Sequence, residues 1–218
     1  MLIILSHKLN VKTPAFNNGP SLTITPIKEI RTGGSSNSYM LSLQNHLGTH
    51  IDAPNHFSKD GRPLASYPID NFIFDKPYLI DLPKQDSELV TKADLEAYRD
   101  SIREADLLLL RTGFQIFRET DPLKYGSQNP GLSAEAARYI TENFGNLRAL
   151  GLDSVSLSPV QNRAEGRQAH RNLLNGRNFF IIEDMDLQSY QDNFRRVWVV
   201  PLYVEGVDSA PCTVIAEI

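Results

Sequence analysis

The chain is poor in the residues that most often mark a secreted, membrane-bound or nucleic-acid-binding protein. It has one cysteine in 218 residues, Cys212, so no disulfide can form within it. That fits a reducing compartment. Cys212 lies in an apolar run and is expected to be a buried small hydrophobe. No apolar run approaches the roughly 18 residues of a membrane span. The opening Met1 to His7 lacks the charged start and the length of a signal segment. The net charge is −4, so there is no basic excess to attract DNA or RNA. Neither an internal repeat nor a low-complexity segment is present. These absences predict a soluble, cytoplasmic protein whose partner is a small molecule or another copy of itself. The length predicts a single domain over residues 1–218.

Histidine is also scarce, and its placement is informative. Of five histidines, three fall in His46-Leu47-Gly48-Thr49-His50-Ile51-Asp52-Ala53-Pro54-Asn55-His56. Imidazole and carboxylate bind zinc-like metals and move protons near neutral pH. A helix over this stretch is disfavoured by Gly48, Thr49 and Pro54. Read as a strand, His46, Gly48, His50 and Asp52 share one face, and Leu47, Thr49 and Ile51 share the other. Gly48 would then leave room for an ion or substrate between two histidines. Ala53-Pro54-Asn55 turns the chain and brings back His56.

His46, His50 and Asp52 form a compact set for one divalent metal, and Asp52 has a second oxygen with which to reach another. The obvious candidates to complete a second site are His170, within a predicted helix over 164–175, and Glu183, which ends the apolar run Phe179 to Ile182. A carboxylate at the end of such a strand is costly to bury unless a cation meets it. Taken singly, His170 and Glu183 read as ordinary helix and strand-end residues, and His7 as a strand-end residue. His56 is either a further ligand or a free acid–base group. A bound divalent ion lowers the pKa of water to about 7, and a nearby imidazole can protonate a leaving group. The residues thus permit metal-assisted hydrolysis of an amide or ester.

The remaining pattern predicts short strands at 2–5, 78–82, 106–112, 147–152, 179–182, 197–205 and 213–218. Helices are expected at 91–103, with Thr91 and Asp94 as a capping box, and at 133–144 behind Ser133. The segment 8–26 is read as irregular and pocket-lining, 31–37 as a turn cluster, and 121–131 as a polar loop. Strands and helices alternate in the middle, while strands dominate both ends. That order predicts an α/β fold with a mixed sheet.

The run His46-x-Gly-Thr-His50-x-Asp52-Ala-Pro-x-His56-Phe57 resembles the signature of the metal-dependent cyclase family, which includes bacterial kynurenine formamidases and isatin hydrolases. Leu5-Ser6-His7, Leu110-Arg111-Thr112-Gly113, Pro130-Gly131-Leu132-Ser133, Gly151-Leu152-Asp153-Ser154 and Ile181-Ile182-Glu183 extend the resemblance over most of the chain. The resemblance implies a swivelling β/β/α domain in a homodimer or larger homo-oligomer. It implies two divalent ions, zinc or manganese. His46, His50 and Asp52 would bind the first, with Asp52 bridging to a second held by His170 and Glu183. His56 would be the proton donor and acceptor. The implied reaction is arylformamidase activity, N-formyl-L-kynurenine to L-kynurenine and formate, in tryptophan degradation. Cyclic amide or lactone hydrolysis of the isatin hydrolase kind, and metal binding without turnover, are the alternatives.

The chain departs from the formamidase pattern in two places. Phe16 is the aromatic residue of the N-terminal irregular segment, where formamidases carry a substrate-contacting tryptophan. It can still stack on an aromatic ring, without an indole N–H. The interval from His170 to Glu183 is one residue longer than usual.

Overall fold

The computed structural model describes residues 1–188 and 194–218. In chain order the strands and α-helices are β1 (Leu2–Ile4), β2 (Thr23–Lys28), β3 (Ser38–Ser42), β4 (His50–Asp52), β5 (Ile73–Phe74), β6 (Pro77–Asp81) and β7 (Leu89–Val90). Then come α1 (Lys92–Glu96), α2 (Arg99–Glu104), β8 (Leu107–Arg111), α3 (Phe117–Thr120), α4 (Pro122–Ser127), β9 (Gly131–Leu132), α5 (Ala134–Asn143) and β10 (Ala149–Leu152). The series ends with α6 (Arg163–Leu174), β11 (Phe180–Glu183), β12 (Arg196–Pro201) and β13 (Ser209–Glu217).

A mixed sheet organises the molecule, as the strand–helix order predicts. Its order is β5-β12-β13-β4-β11-β10-β8-β6, with β1 also paired to β13. Strands β6, β8, β10 and β11 run parallel. From β4 onward the pairings are antiparallel. The parallel half reads as continuous apolar sequence because both of its faces are covered. Leu108, Leu110, Leu150, Leu152 and Ile181 point into the core beneath α5 and α6. Their neighbours Leu107, Leu109, Ala149, Phe180 and Ile182 point into a second core with Ile51, Phe72, Phe74 and Val197. The period of two thus sorts one run of leucines into two cores.

Several expectations are corrected. The strand foreseen over 46–52 is restricted to His50–Asp52. Gly48 adopts φ +70°, and a Cβ there would lie 2.3 Å from Leu9 Cδ2. Gly48 therefore makes a turn beneath Leu9 and does not open space for an ion. Leu47 tucks into a small cluster with Ala15 and Leu22. The helix foreseen over 91–103 keeps its Thr91–Asp94 capping box but breaks at Tyr98 (φ −114°, ψ 15°) into α1 and α2. The polar loop over 121–131 contains α4, which Asp121 caps through the Lys124 N–H. Cys212 is only half-buried. His7 follows a bridge between Ser6 and Met185, and its N–H donates to Thr49 Oγ1 at 2.9 Å.

Strands β2 and β3 stand apart as a two-stranded antiparallel ribbon that joins no other strand among the described residues. Every residue of the ribbon is at least partly exposed.

Candidate metal and catalytic centre

The centre forms where the parallel and antiparallel halves of the sheet meet. Strand β4 lies between β11 and β13, with Glu183 opposite His50 on one side and Ser209 opposite Asp52 on the other. Ile51 points into the second core, so His50 and Asp52 project from the opposite face. Direct cross-strand pairing puts His50 Nε2 3.2 Å from Glu183 Oε2. Helix α6 delivers His170, whose Nε2 lies 3.4 Å from Glu183 Oε1. Between His170 and Glu183 the chain turns at Gly176, which takes φ +76°.

Two short devices complete the cluster. The turn before β4 holds His46, with Nδ1 3.0 Å from Asp52 Oδ1. The 3-10 turn Pro54–His56 returns His56, with Nε2 4.0 Å from Asp52 Oδ2. The sequence-predicted residues His46, His50, Asp52, His56, His170 and Glu183 are thereby brought together. Phe16 lines the same cavity, of about 290 Å³, with His46, His56, Phe57 and His170.

Asp208 is the residue that sequence reasoning missed. Its Oδ2 lies 2.6 Å from His56 Nδ1 and 3.0 Å from His46 Nε2. It sits in the turn before β13, and its only sequence signal is an acid beside Gly206 at a strand start. A second missed group braces the candidate ligands from behind. Asp184, at φ 53°, receives Arg118 Nε and Nη2 at 2.8 and 2.9 Å and the Tyr125 hydroxyl at 2.6 Å. Its carbonyl accepts from Thr49 Oγ1. The residues next to Glu183 and next to His50 are thus tied to each other.

The electrostatics are those of a cation site. Neither Asp52 oxygen nor His50 Nε2 has a hydrogen-bond partner, although all three atoms are buried. Such atoms are expensive to bury unless something meets them. The Nδ1 atoms of His50 and His170 each lie 2.8 Å from a backbone carbonyl, of Gly48 and Gly166. Donation of Nδ1–H to that carbonyl leaves Nε2 as a lone-pair donor, the usual support of a metal-bound imidazole. The donor set therefore fits a divalent metal. Burial alone would raise the Asp52 pKa, but His46 and His50 outweigh it and hold the carboxyl well below the usual range. Glu183 is likewise held low despite burial, by the imidazoles of His170 and His50, which lie 3.4 and 3.2 Å from its oxygens. Hydrogen bonds from His46 and His56 do the same for Asp208.

Among the described residues the atoms that could hold a metal ion fall into two triads that share Asp52, namely His46–Asp52–His56 and His50–Asp52–Glu183. A carboxylate common to both suits the expected bridging role. The grouping follows from proximity: the register sets His50 against Glu183, and the 3-10 turn returns His56 beside His46.

Helix α6 can hold His170 here only because Gly166 has no side chain. A Cβ at Gly166 would lie 2.0 Å from Ser158 Oγ and 2.4 Å from Ser158 Cα. Gly166→Ala is expected to push α6 off the loop, cost about 1–3 kcal/mol and weaken metal binding through His170. Thermal unfolding and metal titration of the variant check both effects.

The chain matches the Cyclase family model, described as "Putative cyclase", over residues 3–159. It is 28% identical over 178 residues to a kynurenine formamidase of Bacillus cereus, covering 82% of this chain and 78% of that protein. An isatin hydrolase bound to the product analogue thioisatinate superposes with a TM-score of 0.85 at 19% identity, covering 100% and 92% of the two chains, a likeness of fold alone. A structure described as a potential metal-dependent hydrolase with cyclase activity superposes with a TM-score of 0.75 at 25% identity, covering 99% and 96%. With its signature residues gathered around Asp52 and the match spanning most of its length, this chain belongs to the Cyclase family.

Proposed function

We propose that the chain is a metal-dependent hydrolase of an amide C–N bond, and specifically an arylformamidase that converts N-formyl-L-kynurenine to L-kynurenine and formate. The carrying observation is the His56–Asp208 pair, 2.6 Å apart, beside a carboxylate shared by two ligand groups. We assign His46, His50, Asp52, His170 and Glu183 to two divalent ions, zinc or manganese. A bound ion would polarise the formyl carbonyl and lower the pKa of water.

The remaining steps belong to the chain itself. Asp208 accepts from His56 Nδ1–H, which fixes the tautomer and leaves Nε2 facing the cavity. From there His56 takes a proton from water as it adds to the carbonyl. It returns that proton to the anilide nitrogen as the C–N bond breaks. Phe57 stacks on His170 with ring centroids 4.7 Å apart and walls the cavity beside it. The half-buried Phe16 offers a face for the substrate's aromatic ring.

Two arginines favour the formamide over a cyclic substrate. Arg163, Arg167 and His170 occupy positions i, i+4 and i+7 of α6, so they share one helix face, and all three line the cavity. Arg163 also stands in the first turn, where the helix dipole disfavours a cation. An anionic group seated there would relieve it, and N-formylkynurenine carries a carboxylate whereas isatin carries none.

Side-by-side assays of the metal-loaded protein with N-formylkynurenine and isatin test the reading. Efficient turnover of isatin with none of the formamide would overturn it. Arg167→Ala is expected to raise KM for N-formylkynurenine about 10-fold, the loss of one charge-assisted contact of 1.5–3 kcal/mol partly screened at this exposed site. It should leave KM for neutral formanilide unchanged. Place in tryptophan degradation and a cytoplasmic location follow from the same reading. No helix among the described residues is long and apolar enough to cross a membrane.

A further inference from the structure

The loop from Ser154 to Val160, which leads from β10 toward α6, grips one side of Glu183. Leu157 N–H donates to Glu183 Oε1 at 2.6 Å, and the Ser156 hydroxyl donates to the same oxygen at 3.1 Å. His50 Nε2 lies 3.2 Å from the other oxygen, Oε2. The carboxylate is thus oriented, with Oε1 taken by loop donors and Oε2 turned toward His50. An irregular loop has no ladder of its own to fix such donors, so its backbone groups must be held from elsewhere.

Asn129, between α4 and β9, holds them. It is fully buried. Its Nδ2 lies 2.9 Å from the carbonyl oxygens of both Ser156 and Ser158, and 3.1 Å from that of Pro130. Its Oδ1 accepts from Val160 N–H at 3.2 Å. The side chain therefore spans the loop on both sides of Leu157. The Ser156 carbonyl and the Leu157 N–H belong to one planar trans peptide and point in opposite directions. Asn129 grips the oxygen end of that plane, and Glu183 receives the hydrogen end. A flip of the plane would aim a carbonyl oxygen at a buried carboxylate, where repulsion is poorly screened. The next plane is held as well. Leu132 N–H donates to the Leu157 carbonyl at 3.0 Å, and Ser158 N–H donates to Ser156 Oγ at 3.1 Å, which turns that hydroxyl's proton toward Glu183. An asparagine matches this loop because it offers two protons on one nitrogen and an acceptor beside them.

We propose that Asn129 is a positioning residue for the metal centre. It fixes the Ser156–Leu157 peptide, and through it the orientation in which Glu183 offers Oε2 to an ion. This role rests on the reading of Glu183 as a ligand, and it adds control of that ligand by a side chain that is no ligand itself. Hydrogen-bonded support of this kind is worth about 10- to 100-fold in metal affinity.

Titration of the metal-free protein with cobalt(II), followed by visible absorption and set beside thermal unfolding, tests it. Asn129→Asp keeps the Val160 contact but can donate to at most one of the two loop carbonyls. It is expected to weaken cobalt binding about 10- to 100-fold and to alter the absorption of the saturated protein. Asn129→Ser, which is too short to span the loop, carries the same expectation should the first variant fail to fold. Ile102→Ala, at a buried position on α2, should lower the melting temperature and bind cobalt as the wild type does. Glu183→Gln should bind cobalt at least as weakly as Asn129→Asp. Wild-type affinity in a folded Asn129 variant, with loss in Glu183→Gln, overturns the positioning role alone. Wild-type affinity in Glu183→Gln overturns the ligand reading and the positioning role together. An equal loss in Ile102→Ala would reduce the Asn129 effect to destabilisation and overturn the role as well.

Discussion

Replacing His56 with alanine is expected to cut kcat on N-formylkynurenine by about 100- to 10,000-fold, the usual contribution of a positioned acid–base group, while the protein keeps its metal. His56 Nδ1 is held 2.6 Å from Asp208 Oδ2. The other ring nitrogen lies 4.0 Å from Asp52 Oδ2, farther than any other histidine–carboxylate approach in the cluster. Asp208→Asn should act through the same imidazole, because an amide at this position can present its nitrogen to Nδ1 and select the wrong tautomer. The two substitutions share one function, so the double variant should be little worse than the poorer single one. Rates and metal content of the three variants measure this. A His56→Ala protein that loses its metal along with its stability would make His56 a structural ligand and remove the acid–base assignment. The triad His46–Asp52–His56 makes that outcome a real alternative.

The second large effect centres on Asp52. It is fully buried and belongs to both candidate ligand triads. Asp52→Asn should abolish stoichiometric metal binding and turnover together. It should also destabilise the metal-free protein by about 3–5 kcal/mol, as expected when one partner of a buried ionic cluster is removed. The metal-free wild type carries the signature of the same contacts in its pH dependence. Burial alone would lower the His46 pKa, but the carboxylates of Asp52 and Asp208, each 3.0 Å from the ring, outweigh it and raise it to about 10. A pKa raised on folding gives stability that is complete below the unfolded value of 6.5 and is lost as pH rises through the folded value. Chelated wild type should therefore lose stability between pH 6.5 and about 10, and Asp52→Asn should flatten that slope. Urea unfolding across this range provides the measurement. A slope of the opposite sign would show that burial, and not the carboxylates, governs His46.

The signature stretch was legible because its chemistry is concentrated in eleven consecutive residues. His170 and Glu183 each read as ordinary helix and strand-end residues, and were legible as a pair only beside the incomplete ligand set of the signature stretch. The local backbone of the stretch was misread. Alternation over 46–52 has the strand period, yet Gly48 at φ +70° ends the pattern, and what makes β4 a strand is its pairing with β11 and β13. Asp208 escaped notice for a related reason. An acid in a glycine turn is ordinary until the register of β13 against β4 carries it to the histidines. Arg118, Tyr125 and Asp184 share that fate, since their network closes over sequence separations of 59 and 66 residues. The leucine run of β8 was readable in kind because burial on both faces leaves a continuous apolar signal that needs no partner to be seen.

The position of β4 between β11 and β13 also bears on the order in which the protein is made. His46 and Asp208 are 162 positions apart in the chain. At synthesis rates of roughly 5–20 residues per second, on the order of 10–30 s pass between the emergence of one and of the other. During that interval the signature histidines have neither the strand opposite them nor the carboxylate that orients them. A nascent chain thus exposes a histidine cluster without its complete cage until β13 has emerged. Strand β13 is therefore translated long after the histidines whose candidate centre its leading turn closes.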